Sequence, residues 1–182
     1  MRAAVPVMLV LAGCVAASAQ DMGEDLPPGY PPQIGAVTAT FDDAPAGWAT
    51  YDFSIGAFDA SAFFGGEKVA PVFHLMGYPP GQPDVLENRL RLEGRGPAAA
   101  GRLADVLVEL VDEDPEGPRL SSAGKAAEIV LDSVTRKNSG YGHATGHFSA
   151  TLCPVATETA KVTASCHAIS GRFESDFQYD MY

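Results

Sequence analysis

Residues 169–180 alternate between apolar or small and polar side chains with a period of two, and this pattern constrains the fold more than any other feature of the chain. Such alternation is typical of an antiparallel β-strand that has one buried face and one wet face. One face would carry Ile169, Gly171, Phe173, Ser175, Phe177 and Tyr179, and the other Ser170, Arg172, Glu174, Asp176, Gln178 and Asp180. We therefore expect Ile169, Phe173 and Phe177 to point into a core shared with Phe148 and Leu152.

Shorter runs of the same period recur along the chain and are separated by turns rich in glycine and proline. Only residues 98–108 hint at a helix, and Gly101 weakens that hint. Because no rhythm of alternating strands and helices is present, the sequence predicts an all-β fold: an antiparallel β-sandwich of about 8 or 9 strands, with a β-barrel as the alternative. The predicted strands lie near residues 36–42, 48–55, 57–64, 69–77, 87–93, 105–111, 127–135, 144–152 and 167–179.

Residues 1–19 have the layout of a secretory signal, and the sequence predicts three segments along the chain. Arg2 is followed by an apolar run and then by small residues, and this run is too short to span a membrane. Residues 20–34 are polar and rich in proline, as expected of an extended, solvated tether. Residues 35–182 have the length of one ordinary domain.

Two cleavage sites are compatible with this signal, and they place the mature protein differently. Leu11-Ala12-Gly13-Cys14 resembles the lipobox of bacterial lipoproteins, in which the cysteine becomes the lipidated first residue. In that family Val15, rather than aspartate, after the cysteine implies sorting to the outer membrane. The alternative is a cut after Ala17-Ser18-Ala19 that leaves a soluble periplasmic protein beginning at Gln20. The proline-rich stretch that follows favours lipidation of Cys14.

The C-terminal end contains an internal echo, since Gly146-His147-Phe148 and Gly171-Arg172-Phe173 each place an aromatic residue two positions after a glycine. We expect the two strands to pair as a hairpin. This stretch resembles the closing hairpin of exported β-sandwich domains of unassigned function in bacterial lipoproteins. It is less similar to the glycine-rich barrel repeats of transferrin-binding surface lipoproteins. Neither resemblance implies any functional residue.

Cys153 and Cys166 remain in the domain after either cleavage. In an oxidising compartment such a pair is expected to form a disulfide, which would stabilise the fold by about 3 kcal/mol on the chain-entropy estimate.

The charge balance limits the classes of partner. The chain has 12 basic and 23 acidic residues and a formal net charge of -11. It lacks a basic stripe to neutralise phosphates, so nucleic acid is not expected as a partner. Docking on anionic lipid is disfavoured for the same reason, and any membrane attachment should come through a lipid anchor. Another envelope protein remains a possible partner.

Metal sites can be written down from the sequence, but simpler interpretations are favoured. His143, His147 and His167 could form a zinc or copper site with the cysteines. Residues four apart on a strand are about 13 Å from each other, so His143 and His147 should not share a metal. Asp112 and Asp114 lie in an acidic turn that could bind calcium, although it lacks the spacing of an EF-hand. We expect no cofactor and keep calcium as the alternative.

Three classes of function follow. The sequence lacks the serine-elbow, phosphate-loop, dinucleotide and zinc-protease motifs, and we lean towards a non-enzymatic envelope protein with a binding or structural role. The first alternative is a small-ligand carrier with an apolar cup, although the same aromatic residues could simply fill the core. The second alternative is a hydrolase with an unrecognised site. The cup would be lined by Phe53, Phe63, Phe64, Phe73 and Tyr78.

Overall fold

The computed structural model describes residues 31–53, 60–66, 69–112, 118–155 and 165–181. Every regular secondary-structure element in these ranges is a β-strand, which confirms the all-β prediction. The same ranges contain no helix that is long and apolar enough to cross a membrane. The predicted signal, Cys14 and most of the tether lie outside the described residues. The strands are β1 (Gln33–Phe41), β2 (Ala44–Tyr51), β3 (Ala62–Gly66), β4 (Val72–Gly77), β5 (Arg89–Arg95), β6 (Gly101–Arg102), β7 (Ala104–Val111), β8 (Pro118–Ser121), β9 (Ala127–Arg136), β10 (Tyr141–Pro154) and β11 (His167–Met181).

The strands form one hydrogen-bonded sheet in the order β2-β1-β11-β3-β4-β5-β7-β8-β10-β9-β6, with a further pairing between β10 and β11. The sheet folds over on itself. Phe73 of β4 stacks on Phe173 of β11 with ring centroids 5.5 Å apart, although these strands are not hydrogen-bonded neighbours. The two layers therefore enclose one core. The described residues form eleven strands rather than the expected eight or nine, because β6 and β8 are too short for alternation to show. The β3–β11 pair is parallel, whereas the sequence predicts an antiparallel arrangement.

The hint of a helix at residues 98–108 is wrong, since this stretch forms β6 and most of β7. Tertiary pairing overrides the local helix propensity, because β7 pairs with β5 along most of its length. Leu103, between the two strands, is buried where Gly94 and Gly96 leave room for its side chain.

Strands β10 and β11 form the predicted antiparallel hairpin, in a register that places phenylalanines opposite glycines. Phe173 faces Gly146, Phe177 faces Gly142, and Phe148 faces Gly171. A Cβ atom at Gly142 would lie 2.7 Å from Cζ of Phe177, and one at Gly146 would collide with the Phe173 ring. The aromatic rings thus cover the backbone of the glycines, and a slip of the register would cause clashes.

The predicted disulfide between Cys153 and Cys166 is present and joins the end of β10 to the start of β11. The Cα atoms are 4.2 Å apart, just below the usual range of about 4.4–6.8 Å for disulfides. The bond closes the connection between the two strands of the hairpin.

The predicted faces of β11 are confirmed with one exception. Ile169, Phe173 and Phe177 are buried in the core with Phe148 and Leu152. Arg172 and Glu174 are exposed and Asp176 is half-buried.

Gln178 is the exception, because it was expected to face water and is only 6% exposed. At this position β11 leaves β1 and begins its parallel pairing with β3. The change of neighbour brings the Gln178 side chain under Ala60, a step that alternation in the sequence does not reveal.

Removing the ring of Phe173 tests this arrangement of β11. Phe173→Ala should lower the free energy of unfolding by about 3 to 5 kcal/mol, because it empties space between the layers. Arg172→Ala, at the exposed neighbouring position, should change it by less than about 0.5 kcal/mol. Urea denaturation of both variants measures the difference. Similar losses in the two variants would contradict the assignment of faces.

Candidate functional site

The five aromatic residues proposed for a cup fall into two groups. Phe64 and Phe73 are almost completely buried in the core, at 0% and 1% exposure. Phe53, Phe63 and Tyr78 are half-buried and lie on the outer side of the β3–β4 layer. The separation follows from strand geometry, since neighbours on a strand such as Phe63 and Phe64 point to opposite faces. Two of the five residues therefore fill the core, and three lie at the surface of the sheet.

The half-buried aromatic residues line an open cleft of about 530 Å³, which we call the aromatic cleft. This volume lies within the range of about 300–1,000 Å³ that is usual for small-molecule sites. The Phe53 and Tyr78 rings meet edge to face, with centroids 5.3 Å apart, and Phe63 stacks on His74 at 4.7 Å. The complete lining is Phe53, Ala60, Ser61, Phe63, His74, Met76, Tyr78, Pro83, Leu86 and Gln178.

Residues 79–88, which supply Pro83 and Leu86 to the cleft, are held in place by two aromatic side chains from β2. The hydroxyl oxygen of Tyr51 accepts a hydrogen bond from Gly81 N at 2.9 Å, and Trp48 Nε1 donates one to Asn88 O at 2.6 Å. Burial raises the pKa of Tyr51 in spite of its backbone hydrogen bonds, which keeps the phenol protonated. The wall of the cleft is thus preformed.

Two buried polar side chains lie in the lining. Ser61 Oγ accepts a hydrogen bond from Tyr51 N at 2.8 Å, and the residue is 6% exposed. The amide of Gln178 makes two long hydrogen bonds, of 3.4 Å from Ala60 N and 3.3 Å to the Tyr141 hydroxyl. Both distances exceed the ordinary 2.7–3.2 Å for such bonds. The described hydrogen-bond partners of the Gln178 amide therefore hold it only weakly.

His74 is the titratable residue of the cleft. Its Nδ1 lies 3.0 Å from Glu93 Oε1. Burial lowers the pKa of His74, and nearby Arg91 adds to this effect, while Glu93 opposes it. The imidazole is consequently neutral at pH 7, and the described residues of the lining include no aspartate, glutamate, lysine or arginine.

A chain of polar contacts continues from His74 under the outer surface of the sheet. Glu93 lies near Arg91, with Nε and Oε1 3.9 Å apart, and Arg91 Nη2 donates to Glu109 Oε2. Glu109 is 4% exposed and also accepts a hydrogen bond of 2.7 Å from the Ser121 hydroxyl. None of these residues was expected at a site from the sequence. The signal available was a charged residue, Glu109, inside the otherwise apolar residues 106–111.

The histidines proposed as metal ligands do not come together. His143 and His147 project from β10, where Nδ1 of His143 lies 2.7 Å from Asp176 Oδ1 and Nδ1 of His147 lies 2.9 Å from Asp132 Oδ1. Burial disfavours the charge of Asp176, but hydrogen bonds from Lys137 and His143 outweigh it and lower the pKa of this carboxyl.

His167 lies beside the β1–β2 turn instead. Its ring stacks on Phe41, and Nδ1 lies 2.6 Å from Asp42 Oδ2. This hydrogen bond, helped by one from Ala168 N, lowers the pKa of Asp42. Among the described residues no group of three histidine, cysteine, aspartate or glutamate side chains is placed to hold a metal ion.

Of the two acidic residues proposed for calcium, only Asp112 lies within the described residues. Asp112 Oδ1 accepts a hydrogen bond from Asn88 N at 2.7 Å, and Oδ2 lies 3.8 Å from Arg119 Nε. Asp114 lies outside the described residues. The carboxylate of Asp112 thus has protein partners on both oxygens.

All four histidines have a carboxylate at Nδ1, and among the described residues none of them is hydrogen-bonded to a serine hydroxyl. Within this part of the chain these histidines therefore form no hydrogen-bonded pair of nucleophile and base of the kind that a serine hydrolase uses. Comparison with protein-family models, with curated proteins and with solved structures finds no match to this chain.

The lowered pKa of His74 predicts a pH dependence of stability. In the unfolded chain His74 binds a proton near its ordinary pKa of about 6.5, whereas the folded protein resists protonation down to lower pH. The unfolded state then binds more protons, so this contribution to stability is complete above about pH 6.5 and is lost as the pH falls below it. Urea denaturation between pH 7.5 and 5.5 should show a smaller loss of stability for His74→Gln than for the unsubstituted protein. An equal loss in both would contradict the lowered pKa.

Proposed function

We propose that this chain is an exported, lipid-anchored envelope protein with a non-enzymatic binding role, and that the aromatic cleft is its binding site. The observation that carries the proposal is the set of three half-buried aromatic rings around an open, preformed cleft. Where the core is filled by other residues, aromatic side chains at a concave surface are typical of a binding site.

The chemistry of the lining supports an uncharged, mainly apolar ligand. Phe53, Phe63 and Tyr78 offer ring faces, and Met76 adds an adaptable apolar surface. Ser61 and Gln178 supply a few polar groups at fixed places. Phosphates and carboxylates are poor candidates, because the described residues of the lining include no lysine or arginine and the chain has a formal net charge of -11.

Export and anchoring rest on the N-terminal sequence. The lipobox at Cys14 and the proline-rich residues after it resemble those of bacterial lipoproteins. The disulfide between Cys153 and Cys166 is compatible with an oxidising compartment outside the cytosol. We propose the outer membrane as the location, as Val15 implies in that family.

Binding of a neutral apolar dye tests the cleft. N-phenyl-1-naphthylamine fluoresces more strongly in apolar surroundings, and we expect saturable binding of one molecule per chain. Phe63→Ser should weaken this binding by up to about tenfold, since an aromatic contact is worth about 0.5–1.5 kcal/mol. Val69→Ser, which changes an exposed apolar side chain that is not in the lining, is the matched control. Equal dye affinity in Phe63→Ser and Val69→Ser would overturn the assignment of the site.

Mass spectrometry of the mature protein tests the anchor. We expect an N-terminal Cys14 that carries acyl chains, and a membrane fraction that contains the protein. Cys14→Ser should move the protein into the soluble fraction while leaving the melting temperature of the domain unchanged. A soluble, unmodified protein that begins at Gln20 would rule out lipidation.

A further inference from the structure

Gln178, Phe63 and His74 form a row across three neighbouring strands in the lining of the aromatic cleft. Gln178 of β11 is the register partner of Phe63 of β3, and Phe63 is the register partner of His74 of β4. The Phe63 and His74 rings stack with centroids 4.7 Å apart and form a flat wall. Because neighbouring strands lie about 4.8 Å apart, a ring system that rests on Phe63 brings one edge close to the Gln178 side chain.

The amide of Gln178 has hydrogen-bonding capacity to spare. A glutamine amide has two N–H donors and two lone pairs on its oxygen. Among the described residues, Oε1 accepts a hydrogen bond from Ala60 N at 3.4 Å and Nε2 donates one to the Tyr141 hydroxyl at 3.3 Å. These bonds leave one N–H and one lone pair, although the residue is only 6% exposed. Ser61, by contrast, has a hydrogen bond of ordinary length, 2.8 Å, from Tyr51 N.

This amide sets a requirement for a ligand that fills the cleft. Such a ligand displaces the water around Gln178, and a buried polar group without a good partner costs free energy. A purely apolar ligand would impose this cost, and a ketone or an ether would pair with the N–H alone. A secondary amide can pair with the N–H and the oxygen together. In an open-chain amide the trans geometry points N–H and C=O in opposite directions, whereas a small ring holds both on one edge.

We propose that the aromatic cleft binds flat ring systems that carry a lactam, with the ring on Phe63 and the lactam paired with the Gln178 amide. This inference rests on the proposed function of the cleft as a binding site and names the class of its ligand. Gln178 Nε2 donates to the lactam carbonyl, and the lactam N–H donates to Gln178 Oε1. Both partners are neutral, which suits a lining whose described residues include no aspartate, glutamate, lysine or arginine.

Displacement of N-phenyl-1-naphthylamine by two matched ligands tests this assignment. Carbostyril is a flat two-ring lactam, and N-methylcarbostyril keeps the rings and the carbonyl but has no N–H. We expect carbostyril to displace the dye at an about tenfold lower concentration, because each neutral hydrogen bond contributes a factor of roughly two to ten. Gln178→Met keeps an unbranched side chain and should abolish this preference. Gln33→Met, the same change at an exposed glutamine outside the lining, should leave the preference intact.

The measurement separates failure of this inference from failure of the proposed function. If dye binding depends on Phe63 and both ligands displace the dye equally from the unsubstituted protein, the cleft is a binding site but does not select a lactam. That comparison needs no variant to fold. A preference for carbostyril that persists in Gln178→Met would contradict the pairing with Gln178. If no dye binding depends on Phe63, the proposed function fails together with this inference.

Discussion

The pairing of glycines with phenylalanines between β10 and β11 is the constraint on which the rest of the structure depends. Phe173 and Phe177 lie over Gly146 and Gly142, so β11 can occupy only one register on β10. Strand β11 then pairs with β1 through residues 169–175 and with β3 through residues 178–181. The register of β11 on β10 therefore fixes the positions of β1 and β3.

This dependence extends to the aromatic cleft. The parallel pairing of β11 with β3 places Gln178 beside Phe63, and both side chains line the cleft. The same register directs Phe64 inward, where it meets Phe177 with ring centroids 4.8 Å apart. The short strand β3 thus contributes Phe64 to the core and Phe63 to the cleft. A shift of β3 by one residue would turn Phe63 inward and Phe64 outward.

Local pattern in the sequence was sufficient for nine of the eleven described strands and for the disulfide, because these follow from rules of short range. The faces of β11 could be assigned from the alternation of Phe173 and Phe177 with charged residues. The burial of Gln178, the short β8 and the parallel β3–β11 pair could not, since they depend on which strands become neighbours. For the candidate site, the five aromatic residues named from the sequence include three that line the cleft, but only the fold separates Phe53, Phe63 and Tyr78 from those of the core.

The distribution of charge agrees with the division into a wet surface and a neutral cleft. The histidines outside the cleft, such as His143 and His167, pair with carboxylates on exposed strand faces and turns. His74 also meets a carboxylate, but burial lowers its pKa and keeps this residue of the lining neutral at pH 7. An acidic protein can in this way keep a surface patch suited to apolar ligands.

Mapping of the bound dye by NMR tests the central claim most directly. Titration of the isotope-labelled mature protein with N-phenyl-1-naphthylamine should shift the resonances of Phe53, Phe63, Met76 and Tyr78, while those of Phe148 and Phe173 in the core stay unchanged. Shifts at the core residues, or shifts spread over the surface without a maximum at the cleft, would contradict the account.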